Sequence, residues 1–181
     1  MKFYGCLLGP LVIAWMLVAW PAAAAETRDP YTYFFNANTG DLKAELADAK
    51  SAGRKAVFLF FEQEGCPGCI HMKNHVLNRP EVQKFYRAHF MNFSVDIHGA
   101  VPITDFSGRA LVEKSYAQAL KVKGTPTLAF YDLDGKEVVR ILGAVRGTEE
   151  FLLLGEFVAN GDYKTRQFTE FKQARARKKG G

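Results

Sequence analysis

The residues of this chain best suited to chemistry are two cysteines three positions apart, in Gly65-Cys66-Pro67-Gly68-Cys69. Thiol–disulfide exchange needs a thiolate, and an ordinary cysteine with a pKa of about 8.5 is mostly protonated at neutral pH. A cysteine at a helix N-terminus meets unsatisfied N–H groups and the positive end of the peptide dipoles, which stabilise its anion. Pro67 suits the first helical turn, where its missing N–H costs nothing. Cys66 is therefore the expected nucleophile, with a lowered pKa and much the greater solvent access. Cys69, one turn later, is the expected resolving thiol that breaks a mixed disulfide. Joining the two closes so small a loop that little unfolded-chain entropy is removed, so stability is a poor reason for the pair.

Other uses of a CxxC fit less well. Structural zinc takes four ligands, and the chain has no second cysteine pair. His71 and His75, spaced i and i+4, keep a mixed Cys/His site conceivable, although two surface histidines are the simpler account. Covalent haem attachment requires a histidine directly after the second cysteine, and Ile70 stands there. No cofactor and no metal is expected.

The elements around the motif follow from periodicity. Residues 56–61 (AVFLFF) form a continuous apolar run rich in aromatic and β-branched types, as in a central strand covered on both faces. Before it, Asp41 is a plausible N-cap for a helix carrying Leu42, Leu46 and Ala49 at helical spacing. After the CxxC a helical pattern continues to about Val76, and Pro80 opens another helix with Val82, Phe85, Tyr86 and His89 on one face. Residues 90–95 read as a second strand, and 96–108 as a loop carrying a small insertion. Val112, Tyr116, Ala119 and Leu120 mark a helix. Residues 127–131 and 137–142 form a hairpin about Asp134-Gly135, followed by a helix over 148–159. A last, basic helix over about 166–179 docks through Phe168 and Phe171. This order implies an α/β fold with a mixed sheet and helices on both faces.

A second motif, Gly124-Thr125-Pro126-Thr127, stands at the entrance to a strand. Proline cannot donate to a ladder, so it is tolerated there only at a strand start or an edge. On position alone an ordinary turn proline is the simpler reading. Its pairing with a CxxC 57 residues upstream reverses that preference.

Together, strand–CxxC–helix, Gly-Thr-Pro-Thr, the Asp-Gly hairpin and Gly143 resemble the thioredoxin superfamily over roughly residues 55–158. The resemblance implies a thioredoxin fold in which Pro126 is cis against Cys66 and Cys69. It also implies that the backbone of Thr125 pairs with a bound substrate chain, with Pro67 and Gly68 supporting the site. Residues 61–69 (FEQEGCPGC), 101–108 (VPITDFSG) and 163–171 further resemble exported thioredoxin-like proteins of the sulfur-oxidation (Sox) type. That implies reduction of a partner protein's disulfide in the periplasm, with electrons from a membrane thiol transporter.

The chain also departs from the family pattern. Thioredoxins proper carry a buried aspartate six residues before the first cysteine, where this chain has Phe60. Glu62, on the same face parity, could substitute in part, though a solvated strand-end carboxylate is the simpler reading. The intervening Pro-Gly lacks the histidine of strong oxidases, which favours a reductant or isomerase. A disulfide isomerase or oxidase, or a redox-inactive binding module, are the alternatives.

Composition sets the remaining bounds. Residues 1–25 read as an export signal: Lys2, a charge-free apolar stretch over 6–20, and Ala23-Ala24-Ala25 as a cleavage pattern. Cys6, within it, is a bystander. No charge interrupts residues 3–25, so an uncleaved membrane anchor is the alternative to cleavage. Residues 26–181 are then one thioredoxin-like domain, with no internal repeat and no flexible linker. Removing the leader lowers the net charge from +5 to +4, because only Lys2 is lost. Much of the excess lies in Lys172, Arg175, Arg177, Lys178 and Lys179. A solvated helix end accounts for it; neither a nucleic-acid partner nor an oligomer is expected.

Overall fold

An apolar run without polar alternation is stable as a strand only when both its faces are covered. In the computed structural model, which describes Met1 and residues 26–179, that run is β1 (Ala56–Glu62), buried along its whole length. The expected export signal and Cys6 lie outside the described residues. β2 (Phe90–Asp96) pairs with β1 in parallel, and β5 (Thr127–Tyr131) pairs with it antiparallel on the other side. β6 (Glu137–Leu142) completes a mixed sheet of order β2-β1-β5-β6.

Alternation along β1 divides the interior in two. Phe58 and Phe60 join Tyr86, Phe130, Phe151 and both cysteines of the CxxC on one face. Val57, Leu59 and Phe61 join Leu42, Leu46, Phe93 and Tyr116 on the other. The first face is covered by α3 (Pro67–Met72), α4 (Pro80–His89) and α6 (Thr148–Ala159), the second by α2 (Leu42–Ser51) and α5 (Glu113–Ala119). The caps are those the residue types suggest: Asp41 accepts from Ala44 N–H at 3.0 Å, and Pro80 opens α4. Helix α3 continues into a π-helical turn, Lys73–Leu77. Tyr86 anchors the first face, stacked on Phe151 at 4.2 Å and donating its hydroxyl to the Phe151 carbonyl at 2.8 Å. Gly155 makes that approach possible, since a Cβ there would lie 2.6 Å from the Phe85 ring and 3.0 Å from Tyr86.

Two segments hold more structure than their sequence suggests. Upstream of α2, Asp29 caps a single turn, α1 (Pro30–Tyr33), which seats Phe34 and Phe35 in the aromatic face. The region read as a loop contains β3 (Pro102–Thr104), which pairs with β4 (Ala110–Val112) as a second, two-stranded sheet. Three-residue strands are too short to show a period, which hid them. At the C-terminus, α7 (Phe168–Lys179) lays Phe168 and Phe171 against Phe157, with ring centroids 5.5 and 5.3 Å away. Lys172 and Arg175 pair with Glu150 and Glu156 of α6, so part of the basic tail is neutralised within the fold.

Asp105 organises the β3–β4 connection. Its carboxylate accepts from the Ser107 N–H and hydroxyl and from the Arg109 N–H and Nε, at 2.6–3.0 Å. Burial alone would raise its pKa, but the Ser107 and Arg109 hydrogen bonds outweigh that and hold it down at about 2. A carboxyl with a folded pKa below its unfolded value near 3.9 adds stability above the unfolded value and loses it as pH falls through the folded one. Asp105→Asn should therefore lower the unfolding free energy by about 1–3 kcal/mol at pH 7. In urea titrations across pH, the gap between the two proteins should close between about pH 4 and pH 2. A gap that persists at pH 2 would mean that the carboxylate charge is not what orders the loop.

Candidate active site

The register of the central strands determines what meets what. Phe61 pairs with Thr127, so the start of antiparallel β5 lies at the end of β1 from which the CxxC emerges. Cys66, in an extended conformation, is the N-cap of α3, and its sulfur accepts from the Cys69 N–H at 3.1 Å. The two cysteines are joined as a disulfide, with Cα atoms 5.3 Å apart. Cys66 is 5% exposed and Cys69 1%. Position in the helix suggested a large contrast in access. It is small here because both sulfurs belong to one apolar cluster with Phe60, Met72, Leu128 and Val145.

Pro126 is buried, and the Thr125–Pro126 bond is cis. Its ring lies over the intervening dipeptide: a Cβ on Gly68 would stand 2.8 Å from Pro126 Cδ. The Pro126 carbonyl accepts from Gly143 N–H at 2.8 Å, and the Thr127 hydroxyl donates to the Gly124 carbonyl at 2.7 Å. Thr125 is half-buried, and its backbone N–H and C=O have no partner among the described residues. Ile70 and Leu142 are both well exposed, the first next to Cys69 in sequence and the second against Gly124.

Glu62 is not the solvated strand-end carboxylate that its position suggested. It is 8% exposed and accepts from three side chains: the Tyr31 hydroxyl at 3.0 Å, the Ser94 hydroxyl, and Lys73 Nζ at 2.6 Å. Lys73 also donates to the Tyr31 hydroxyl at 2.9 Å and lies over its ring. Burial would lower the Lys73 pKa, but the Glu62 and Tyr31 hydrogen bonds and the Glu62 charge raise it above the usual lysine value. Lys73 is not among the residues that the sequence analysis singles out. The missed signal was its spacing, i+4 from Cys69 and i+7 from Cys66, which puts all three on one helical face. No local pattern could have found Tyr31. His71 and His75 are exposed and stack at 5.0 Å, and no group of three or more metal-ligating side chains gathers among the described residues.

The family described as "Thioredoxin-like domain" matches residues 42–159, which include the CxxC and Pro126. The chain belongs to this thioredoxin-like family. Over 118 residues it is 27% identical to "Thiol:disulfide interchange protein DsbD" of Cronobacter sakazakii, a match covering 65% of this chain but only 18% of that protein. Among solved structures it resembles a thioredoxin-fold protein from Helicobacter pylori, with a TM-score of 0.58 and 23% identity over 67% of this chain and 80% of that one. It also resembles a thioredoxin from Thermus thermophilus, with a TM-score of 0.50 and 29% identity over 74% and 87%. Family membership and a CxxC pair at disulfide distance make this thioredoxin-like protein a thiol–disulfide oxidoreductase.

The Gly68–Pro126 contact gives the site a sharp steric test. Gly68→Ala would force a methyl group against the proline ring, with overpacking typically costing about 1–3 kcal/mol. Thermal unfolding should show the loss, and dithiol-dependent disulfide reduction should fall with it. A variant as stable and active as the parent would mean that the loop does not press on the dipeptide.

Proposed function

We propose that this thioredoxin-like protein is a periplasmic disulfide reductase acting on a partner protein. The Cys66 thiolate attacks a partner disulfide and forms a mixed disulfide, releasing one partner thiolate. The Cys69 thiolate then attacks Cys66 Sγ, which frees the second partner thiol and leaves Cys66–Cys69 oxidised. Two electrons from a membrane thiol transporter restore the dithiol. The unpartnered backbone of Thr125 supports a role in holding the partner chain by strand-like pairing, with Pro126 and Gly68 shaping the floor beneath it.

One observation carries the choice of reductant. The only lysine of the redox helix, Lys73, is bound to Glu62, so the Cys66 anion is left with a backbone N–H and an uncharged Pro67-Gly68. A strong oxidase needs a much more stable thiolate: potentials of about −120 and −270 mV differ by about 7 kcal/mol. A helix N-terminus alone contributes about 0.3–1 kcal/mol when exposed.

The periplasmic location rests on the leader in residues 1–25, cleaved before a domain over 26–181, with an uncleaved anchor as the alternative. Among the described residues no helix is long and apolar enough to cross a membrane. The Sox-type reading of residues 61–69 and 101–108 makes a protein of sulfur oxidation the favoured partner class.

Equilibration with glutathione of known ratio should give a potential below about −200 mV; a value above about −160 mV would move the protein among the oxidases. Cys66→Ala should abolish reduction of insulin, and Cys69→Ser should trap the partner as a mixed disulfide. Undiminished insulin reduction by Cys66→Ala would remove Cys66 from the mechanism.

A further inference from the structure

On the sheet face that carries the redox cysteines lies a charge pair that the exchange mechanism does not use. Glu62 ends β1 on the face that carries Phe58 and Phe60, the face shared with Cys66 and Cys69. Lys73 reaches it from one turn beyond Cys69, and the side chains of the pair are only 10% and 22% exposed. Tyr31 closes the pair from outside: its hydroxyl donates to Glu62 and accepts from Lys73. Tyr31 comes from α1, upstream of the family match over 42–159, so it reaches the pair from outside the matched domain.

The saturation of Glu62 argues against a role as a proton acceptor for Cys69. Oε1 accepts from Tyr31 and Ser94, and Oε2 is taken by Lys73. What the pair does hold is charge. The ionisable groups around it include exposed Glu64, two residues before Cys66; Asp96, opposite Glu62 in the β1–β2 register; and Glu113, whose carboxylate accepts from Asp96 N–H. Burial and the nearby Asp96 and Glu62 charges raise the Glu113 pKa, against a lowering by that hydrogen bond. His71 and His75 stack on each other in solvent on the same helix. Against this mostly acidic background, Lys73 is the cation that cancels Glu62.

We propose that Glu62 and Lys73, closed over by Tyr31, are positioning residues that keep the field at the Cys66–Cys69 pair neutral and thereby set its redox potential. The proposal rests on the thiol–disulfide reading above. Removing either charge alone exposes the other to the sulfurs. An uncompensated Lys73 favours the thiolate and with it the dithiol form; an uncompensated Glu62 does the opposite.

The test compares Glu62→Gln, Lys73→Met, the double variant and Tyr31→Phe with the parent. Two readouts are used: the dithiol/disulfide equilibrium constant against glutathione, and the pH midpoint of Cys66 alkylation in the reduced protein. Glu62→Gln should shift the equilibrium toward the dithiol by about fivefold and lower the alkylation midpoint. Lys73→Met should shift it about fivefold toward the disulfide and raise the midpoint. The double variant, neutral again, should return to within about twofold of the parent, and Tyr31→Phe, which changes no charge, should stay there too. A merely structural role predicts displacements of one sign, largest in the double variant. That pattern, or no displacement above about twofold in either single variant, would overturn the proposal. These readouts are relative to the parent, so a parent potential in the oxidase range would end the reductase reading and leave this one standing. Alkylation decides it even if glutathione exchange fails.

Discussion

Every N–H and C=O of a strand buried on both faces must be met by a neighbouring strand, because no water reaches it. Strand β1 lives under that constraint along its whole length. β2 satisfies one edge in parallel and β5 the other antiparallel, and the two pairings fix the site. Because β5 runs against β1, its first residues lie where β1 ends. The cis-proline loop therefore meets the CxxC through backbone register, before any side chain chooses a partner. Gly68 is what the close approach leaves room for.

The same strand carries a carboxylate into the interior at its last residue. Burying a lone charge costs several kcal/mol, so Glu62 requires compensation. It finds a cation on the redox helix and two hydroxyls, one from β2 and one from α1. This cluster ties four elements together at the point where the nucleophile is presented. It also occupies the charge that could otherwise have stabilised the Cys66 thiolate. Packing and redox chemistry are thus joined through one ion pair rather than through a base poised at the sulfur.

Away from the site, polar satisfaction again decides local structure. The β3–β4 connection is ordered by Asp105 serving four donors within a span of five residues, which lets so short a hairpin persist. The C-terminal helix is held by aromatic contact with α6 and by two ion pairs across the same interface. Its basic character, conspicuous in composition, is partly consumed inside the fold.

The sequence by itself determined the main elements and the reactive pair. The apolar run at 56–61, the cap at Asp41, the proline that opens α4, and the CxxC at a helix start are all patterns among residues a few positions apart. Backbone geometry reads such patterns directly, through period, capping and turn chemistry. Only the tertiary structure decided that Glu62 is buried, that Lys73 answers it, that Tyr31 closes over both, and that Cys66 is nearly as enclosed as Cys69. Those facts join residues 11, 31 and 42 positions apart. Contacts at such separations depend on strand register and helix placement, which arise from the packing of the whole sheet and leave no mark in any local stretch of chain.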